Sequence, residues 1–244
     1  MALYMIGLGL GNQKDISLYG LEVVKSCNSI YLESYTSVLG CSIKDIESLY
    51  KKKVIIADRN LVENEAEQTI LKDAKEEDAA FLVIGDVFSA TTHMDLYIRA
   101  KNKGIPVKVI HNASVLTAVG ITGLEIYKFG KVTSIPFNNK EVTSPVEIYT
   151  ANQKINAHTL FLLDLDPINK KFLTINDAAK YLLDKGVKDV LGVGCAALGS
   201  EKPEIKSAKL SDLAKQKFTR YPQCLIIPSK TLHFVEEEAL EMWK

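Results

Sequence analysis

The chain has 244 residues, 30 of them basic and 30 acidic, so its formal net charge is zero. That balance offers no cationic footprint, and neither nucleic acid nor an anionic membrane is expected as a partner. The length suits one large domain or two ordinary ones, with a core that needs no disulfide staples.

Short apolar runs alternate with amphipathic stretches, the rhythm of an α/β protein. Strands are predicted at Leu3–Ile6, Ser29–Leu32, Val54–Ala57, Ala79–Ile84 and Val107–Ile110. Helices are predicted between them at Ser17–Cys27, from Ser42 to Tyr50 behind a Ser42-x-x-Asp45 capping box, and at Val62–Lys75. A fourth runs from Thr92 to Lys103, with Thr91 or Thr92 as its N-cap and Gly104 as its stop. Together these make a complete parallel-sheet domain, residues 1–112.

A second α/β domain, residues 113–244, begins with a stretch broken by Gly120, Gly123 and Gly130. Its predicted strands are Lys131–Ile135, Thr159–Leu163, Val190–Val193 and Leu225–Ile227. Its predicted helices are Asn176–Lys185, Leu210–Phe218 and Phe234–Trp243, and Asn138–Pro145 reads as a loop.

Cys27, Cys41, Cys195 and Cys224 show no C-x-x-C spacing, so no metal site is expected and the thiols read as free in a reducing compartment. The uncharged stretch Val109–Leu124 is too short and too polar to cross a bilayer. Lys14 follows the apolar N-terminus instead of preceding it, the wrong order for a signal peptide. The cytoplasm remains by elimination.

Three strand-end loops carry the functional signal. Gly7-Leu8-Gly9-Leu10-Gly11 follows the first strand, but Asn12 stands where a dinucleotide fingerprint needs its third glycine. Gly85-Asp86-Val87-Phe88-Ser89-Ala90-Thr91-Thr92-His93 follows the most apolar strand, and Ile110-His111-Asn112-Ala113-Ser114-Val115 follows the fifth. In open α/β sheets ligands bind outside the carboxyl ends of strands, so these loops outline one elongated pocket for a nucleotide-like ligand. Asp164 and Asp166 read as loop or cap residues rather than as metal ligands. His93, His111, His158 and His233 match no triad order and read as capping or core histidines. Glu236-Glu237-Glu238 reads as a solvated helix face.

Together these residues resemble the diphthine synthases, methyltransferases of the tetrapyrrole-methylase type. The resemblance is carried by Tyr4–Ser17, Ile30–Ser37, Gly85–Leu96, Val109–Val115, Ala118–Lys131, His158–Leu165 and Leu232–Leu240. It implies two α/β domains of that type with S-adenosyl-L-methionine folded into the cleft between them and S-adenosyl-L-homocysteine as product. It implies repeated methylation of the 3-amino-3-carboxypropyl-histidine of translation elongation factor 2, in the cytoplasm, by a homodimer. Eukaryotic members make four transfers, giving diphthine methyl ester; the alternative is three, giving diphthine, and a tetrapyrrole methylase is a more distant one. By matching position, the cofactor-binding residues are Leu10, Asp86, Ser89, Ser114, Val115, Leu163, Leu198 and Gln223. No residue is assigned as catalytic, because a sulfonium donor is already activated and alignment can supply much of the rate. Three positions depart from the family pattern: Val87 replaces a proline, Ala197 an arginine and Asn156 a glycine.

Overall fold

In the computed structural model, which describes residues 1–244, the chain divides into two units, 1–116 and 117–244. The first contains β1 (Ala2–Gly7), α1 (Leu18–Ser26), β2 (Ser29–Glu33), α2 (Ile43–Tyr50), β3 (Ile55–Ala57), α3 (Arg59–Glu63), α4 (Ile70–Glu76), β4 (Asp78–Val83), α5 (Met94–Asn102) and β5 (Val107–Ile110). Its strands form one parallel sheet in the order β3-β2-β4-β1-β5.

Both faces of this sheet are covered, which is why β1 and β4 read as unbroken apolar runs. Leu3 and Met5 of β1 pack with Phe81 and Val83 of β4 under α3, α4 and α5. Tyr4 and Ile6 pack with Ala80 and Leu82 under α1 and α2. The chain therefore leaves β1 toward β2 and β3 over one face and returns through β4 to β5 over the other. β1 and β4 are neighbours whose outgoing connections run in opposite directions, which is a topological switch point.

A short helix, α6 (Val115–Ala118), spans the division between the units and leads into 3-10 turns at Val119–Thr122 and Ile126–Lys128. The second unit continues with β6 (Thr133–Ile135), α7 (Ser144–Lys154), β7 (Thr159–Leu163), the hairpin β8 (Leu165–Asp166) and β9 (Lys171–Phe172), and α8 (Ile175–Asp184). It ends with β10 (Leu191–Ala196), β11 (Glu204–Lys209), α9 (Leu210–Leu213), β12 (Gln223–Ile227) and α10 (Phe234–Glu241). Its main sheet is mixed, in the order β11-β10-β12-β7-β6, with only the β6–β7 pair parallel. Leu163, Phe161 and Leu225 of this sheet bury against Ile175, Ala178 and Leu182 of α8.

Three predicted elements need correction, and one strand was not predicted. The Val62–Lys75 helix is broken into α3 and α4, because Arg99 of α5 donates to the Val62 and Glu63 carbonyls at 3.1 and 3.2 Å and ends the first helix there. The predicted loop Asn138–Pro145 gives way at Ser144 to α7, with Pro145 in its first turn. That helix was hidden because two of its buried residues, Asn152 and Gln153, are polar. Leu210–Phe218 shortens to α9, leaving Phe218 to fold inward against Ile175 and Gly194. The edge strand β11 escaped notice because its sequence, E-I-K-S-A-K, buries only Ile205 and Ser207, and lysines guard the edge.

Candidate active site

All five strands of the first sheet are parallel, so the three singled-out loops emerge at one end, and the structure locks them together there. The amides of Leu8 and Gly9 donate to Val83 and Gly85 carbonyls at 2.8 and 3.2 Å, and Gly85 returns a bond to Gly9 at 2.8 Å. Asn112 binds the Gly7 and Asp15 carbonyls through Nδ2, each at 3.0 Å. This closeness is why Gly7 carries no side chain: a Cβ would lie 2.7 Å from the Gly85 carbonyl oxygen and 2.8 Å from Asn112 Cβ. The first loop is thus a packing surface for its neighbours, with Gly9 in the left-handed region at φ +76°.

Asp86 is the centre of this end. Its Oδ1 accepts from the Phe88 amide at 3.0 Å and the Ser89 hydroxyl at 3.2 Å. Its Oδ2 accepts from His111 Nδ1 at 2.8 Å and the Asn112 amide at 3.1 Å. Burial works to raise its pKa, but the Phe88 amide, the His111 ring and the Asn112 amide outweigh burial and hold the carboxyl below its ordinary value. An ionised carboxylate only accepts, so Nδ1 of His111 carries a hydrogen, and in the neutral ring the lone pair falls on Nε2. The His111 side chain is 69% exposed, and its bond to Asp86 uses Nδ1.

Among the other sequence-predicted residues of the first unit, Ser89 bonds this carboxylate directly, Leu10 lies on the first loop, and Ser114 and Val115 follow His111 in the chain. Leu10, Ser89 and Val115 are half-buried, and Ser114 is buried on the loop that carries His111. Thr91 does not cap α5; its hydroxyl bonds the Val87 carbonyl at 2.8 Å, and the N-cap position falls to His93, which makes no capping bond. In the second unit, Leu163 ends β7, Gln223 opens β12 and Leu198 follows β10. The pairing of Ala196 with Gln223 and of Cys224 with Leu162 puts all three at one end of that sheet. The Gln223 side chain is committed within the unit, accepting from the Ile175 amide at 2.8 Å and donating to the Arg220 carbonyl at 3.0 Å. Asp164 and Asp166 accept from nearby groups, chiefly the amides of Phe137, Leu165 and Asn169, which is a loop role.

Glu236 corrects the reading of residues 236–238 as a solvated face. It is wholly buried and accepts from the Glu125 amide at 2.9 Å, Lys128 Nζ at 2.5 Å, His158 Nε2 at 2.9 Å and the His233 amide at 2.8 Å. Burial opposes ionisation, yet these donors pull its pKa down to about 2. Asn156, where the family pattern has glycine, takes φ +55°, a region asparagine tolerates better than most side chains.

His111 is the residue that sequence reasoning left out of the site. The available signal was topological: its loop and the Asp86 loop follow the two strands that flank β1. The three loops hold two carboxylates, Asp15 and Asp86, and one cation, Lys14, and Asp15 is taken by the Gly11 amide. With Asp86 at its centre, that set fits a cationic ligand bearing hydroxyls, such as S-adenosylmethionine, better than a polyphosphate.

Comparison with known proteins agrees with this chemistry. The sequence profile of the Tetrapyrrole (Corrin/Porphyrin) Methylases matches residues 2–214. The chain is 41% identical to the diphthine methyl ester synthase of Bos taurus, over 99% of this chain and 94% of that one. It is 40% identical to a probable diphthine methyl ester synthase of Arabidopsis thaliana, over 99% and 98% respectively. A crystal structure of diphthine synthase superposes with a TM-score of 0.94 at 36% identity, covering 100% of this chain and 96% of the other. The chain therefore belongs to the diphthine synthases of the tetrapyrrole methylase family and is a methyltransferase.

Proposed function

We propose that the protein transfers methyl groups from S-adenosylmethionine to the 3-amino-3-carboxypropyl group on a histidine of elongation factor 2, in diphthamide biosynthesis. The observation that carries this reading is end-to-end similarity to diphthine methyl ester synthases. Those names favour four transfers, three to the amine and one to the carboxylate, over a stop at the trimethylammonium.

The residues assigned to the cofactor by matching position are Leu10, Asp86, Ser89, Ser114, Val115, Leu163, Leu198 and Gln223. The cofactor supplies a methyl group on a positively charged sulfur. Asp86 contributes negative charge, and with its four hydrogen bonds it fixes the main chain of two binding loops. Its lone pairs are already engaged, so its direct share of ligand hydrogen bonding is small and its electrostatic and positioning share large.

The protein works in the cytoplasm as a homodimer. Four free thiols support a reducing compartment, and no helix is long and apolar enough to cross a membrane. Exposed Tyr127 and Phe234, at 82% and 69%, lie on segments joined by Glu236 and offer apolar surface for a second copy. Sedimentation should give twice the chain mass; a monomer at micromolar concentration removes the dimer.

The deciding experiment uses elongation factor 2 from cells lacking this activity. Incubation with the protein and S-adenosylmethionine should add the mass of four methyl groups. An addition of three selects the shorter course, and an unchanged mass on premodified substrate overturns the reading.

A further inference from the structure

We infer that His111 is the proton acceptor for the amine methylations, with Asp86 as its positioning residue. The inference rests on the substrate proposed above, whose amine is an ammonium ion near neutral pH. Nitrogen in that form has no lone pair to offer, and each of the three amine transfers must be preceded by loss of one proton. Methyl transfer needs no acid or base on the donor side, so this proton is the one that requires a protein group.

His111 meets the geometric demands of that role. The 2.8 Å bond from Nδ1 to Asp86 Oδ2 fixes the tautomer and aims the ring. In the neutral ring Nε2 keeps a lone pair, on a side chain that is 69% exposed. The loop continues within three and four residues to Ser114 and Val115, which are assigned to the cofactor. The groups facing the ring are Asp86 from the β4 loop and, edge-on, the uncharged Phe88 ring with centroids 6.3 Å apart. On its own loop Asn112 and Ala113 carry no charge, and the Asp15 carboxylate of the first loop is taken by the Gly11 amide at 2.6 Å.

In the step, an N–H bond of the substrate ammonium breaks and its electron pair stays on nitrogen. The proton goes to Nε2, and the imidazolium so formed lies against the Asp86 carboxylate, which stabilises its charge. The neutral amine then takes up the methyl group, and the imidazolium returns its proton to solvent from its exposed edge. Methylation of the substrate carboxylate needs no such step, because that group is already deprotonated at neutral pH.

The test compares wild type with His111→Gln and His111→Ala in single-turnover methylation of premodified elongation factor 2 between pH 6.5 and 9.5. Both variants should lose roughly a hundred- to ten-thousand-fold in rate at pH 7. The loss should shrink about tenfold per pH unit as the amine deprotonates by itself, and added imidazole should restore part of the rate to His111→Ala. Calorimetry should give unchanged S-adenosylmethionine affinity. Imidazole nitrogen NMR of the protein without ligands should show the Nδ1–H tautomer at His111, lost in Asp86→Ala. A wild-type pH profile in the variants, or the Nε2–H tautomer in wild type, overturns the proposal. So does an equal rate loss in esterification of trimethylated substrate, since that result makes His111 a general positioning group. Failure of the wild-type protein to methylate the substrate would instead remove the substrate reading, and the NMR arm would still judge the pair.

Discussion

Each unit contains a buried carboxylate hydrogen-bonded to a histidine, and the two pairs are opposites in what they leave open. In the second unit, His158 is fully buried; its Nε2 donates to Glu236 and its Nδ1 accepts from the Ser229 amide at 2.9 Å. Both nitrogens are spent inside the fold, and burial lowers the ring's pKa despite the carboxylate beside it. In the first unit, Asp86 spends its oxygens in the same way, but its histidine keeps one nitrogen at the surface. A carboxylate and an imidazole thus make a structural tie in one place and a proton-handling device in the other. The difference lies in the second nitrogen, not in the carboxylate–imidazole bond.

Glu236 offers the most severe way to break the comparison. Glu236→Ala would leave the Lys128 ammonium, the His158 ring and two amides without their partner. Breaking one side of a buried ionic cluster costs about 3–5 kcal/mol. Urea denaturation should show a loss of that order, or the second unit should fail to fold. Because the carboxyl's pKa is depressed to about 2, its stabilisation is complete above its unfolded value and is lost as pH falls toward 2. The variant should lose less stability than wild type across that window, because Asp86 and the other carboxyls with depressed pKa still contribute. A loss below about 1 kcal/mol would mean that Glu236 is not a hub.

Asp86→Ala should cost less stability and more function. Four hydrogen bonds are lost, but the loops they tie lie at a sheet end where water can replace some partners, so about 1–3 kcal/mol is expected. S-adenosylmethionine affinity should fall roughly tenfold or more, since removal of a group that pairs with charge costs about 1.5–3 kcal/mol. Asp86→Asn keeps the shape and part of the bonding, and should recover stability without restoring the rate below pH 8. Equal recovery of both would erase the distinction between the two pairs.

Much of this was legible in the sequence, and the failures have particular causes. The parallel sheet of the first unit showed through because β1 and β4 are apolar on both faces, and the three loops were found because parallel strands send their carboxyl ends to one place. The hub of the second unit did not show. Glu236 stands in a run of three glutamates, the ordinary look of a solvated helix start, and its partners Glu125, Lys128 and His158 lie 78 to 111 residues away. The N-cap bond from the Val235 amide to His233 gave no hint that the helix's third residue turns inward. For α7 and α3–α4 the deciding contacts were again distant, from Asn152 to Lys131 and from Arg99 to Val62. Local pattern carries elements whose burial is apolar; it is silent where burial is polar and the partner is remote.

A third histidine sharpens the comparison because it has no carboxylate at all. His93 is 1% exposed, its ring nitrogens make no well-formed hydrogen bond, and the Val87 carbonyl is the one nearby group that favours the charged ring. It sits in an aromatic nest, its ring centroid 5.2 Å from Phe81 and 6.1 Å from Tyr35, both edge-on. Burial without a compensating anion favours the neutral ring and lowers its pKa to about 4. In the unfolded chain it would titrate near 6.5. Between those values the unfolded state binds a proton that the folded state excludes. Stability is therefore full above about pH 6.5 and falls as pH drops toward 4, at up to about 1.4 kcal/mol per unit. His93→Phe keeps an aromatic ring of similar size and removes both ring nitrogens. Its stability at pH 8 should lie within about 1 kcal/mol of wild type, and at pH 5 the variant should be the more stable of the two. Denaturation midpoints at the two pH values decide the matter: parallel losses in both proteins would show that His93 is protonated and paired in the fold, which its surroundings in this structure do not permit.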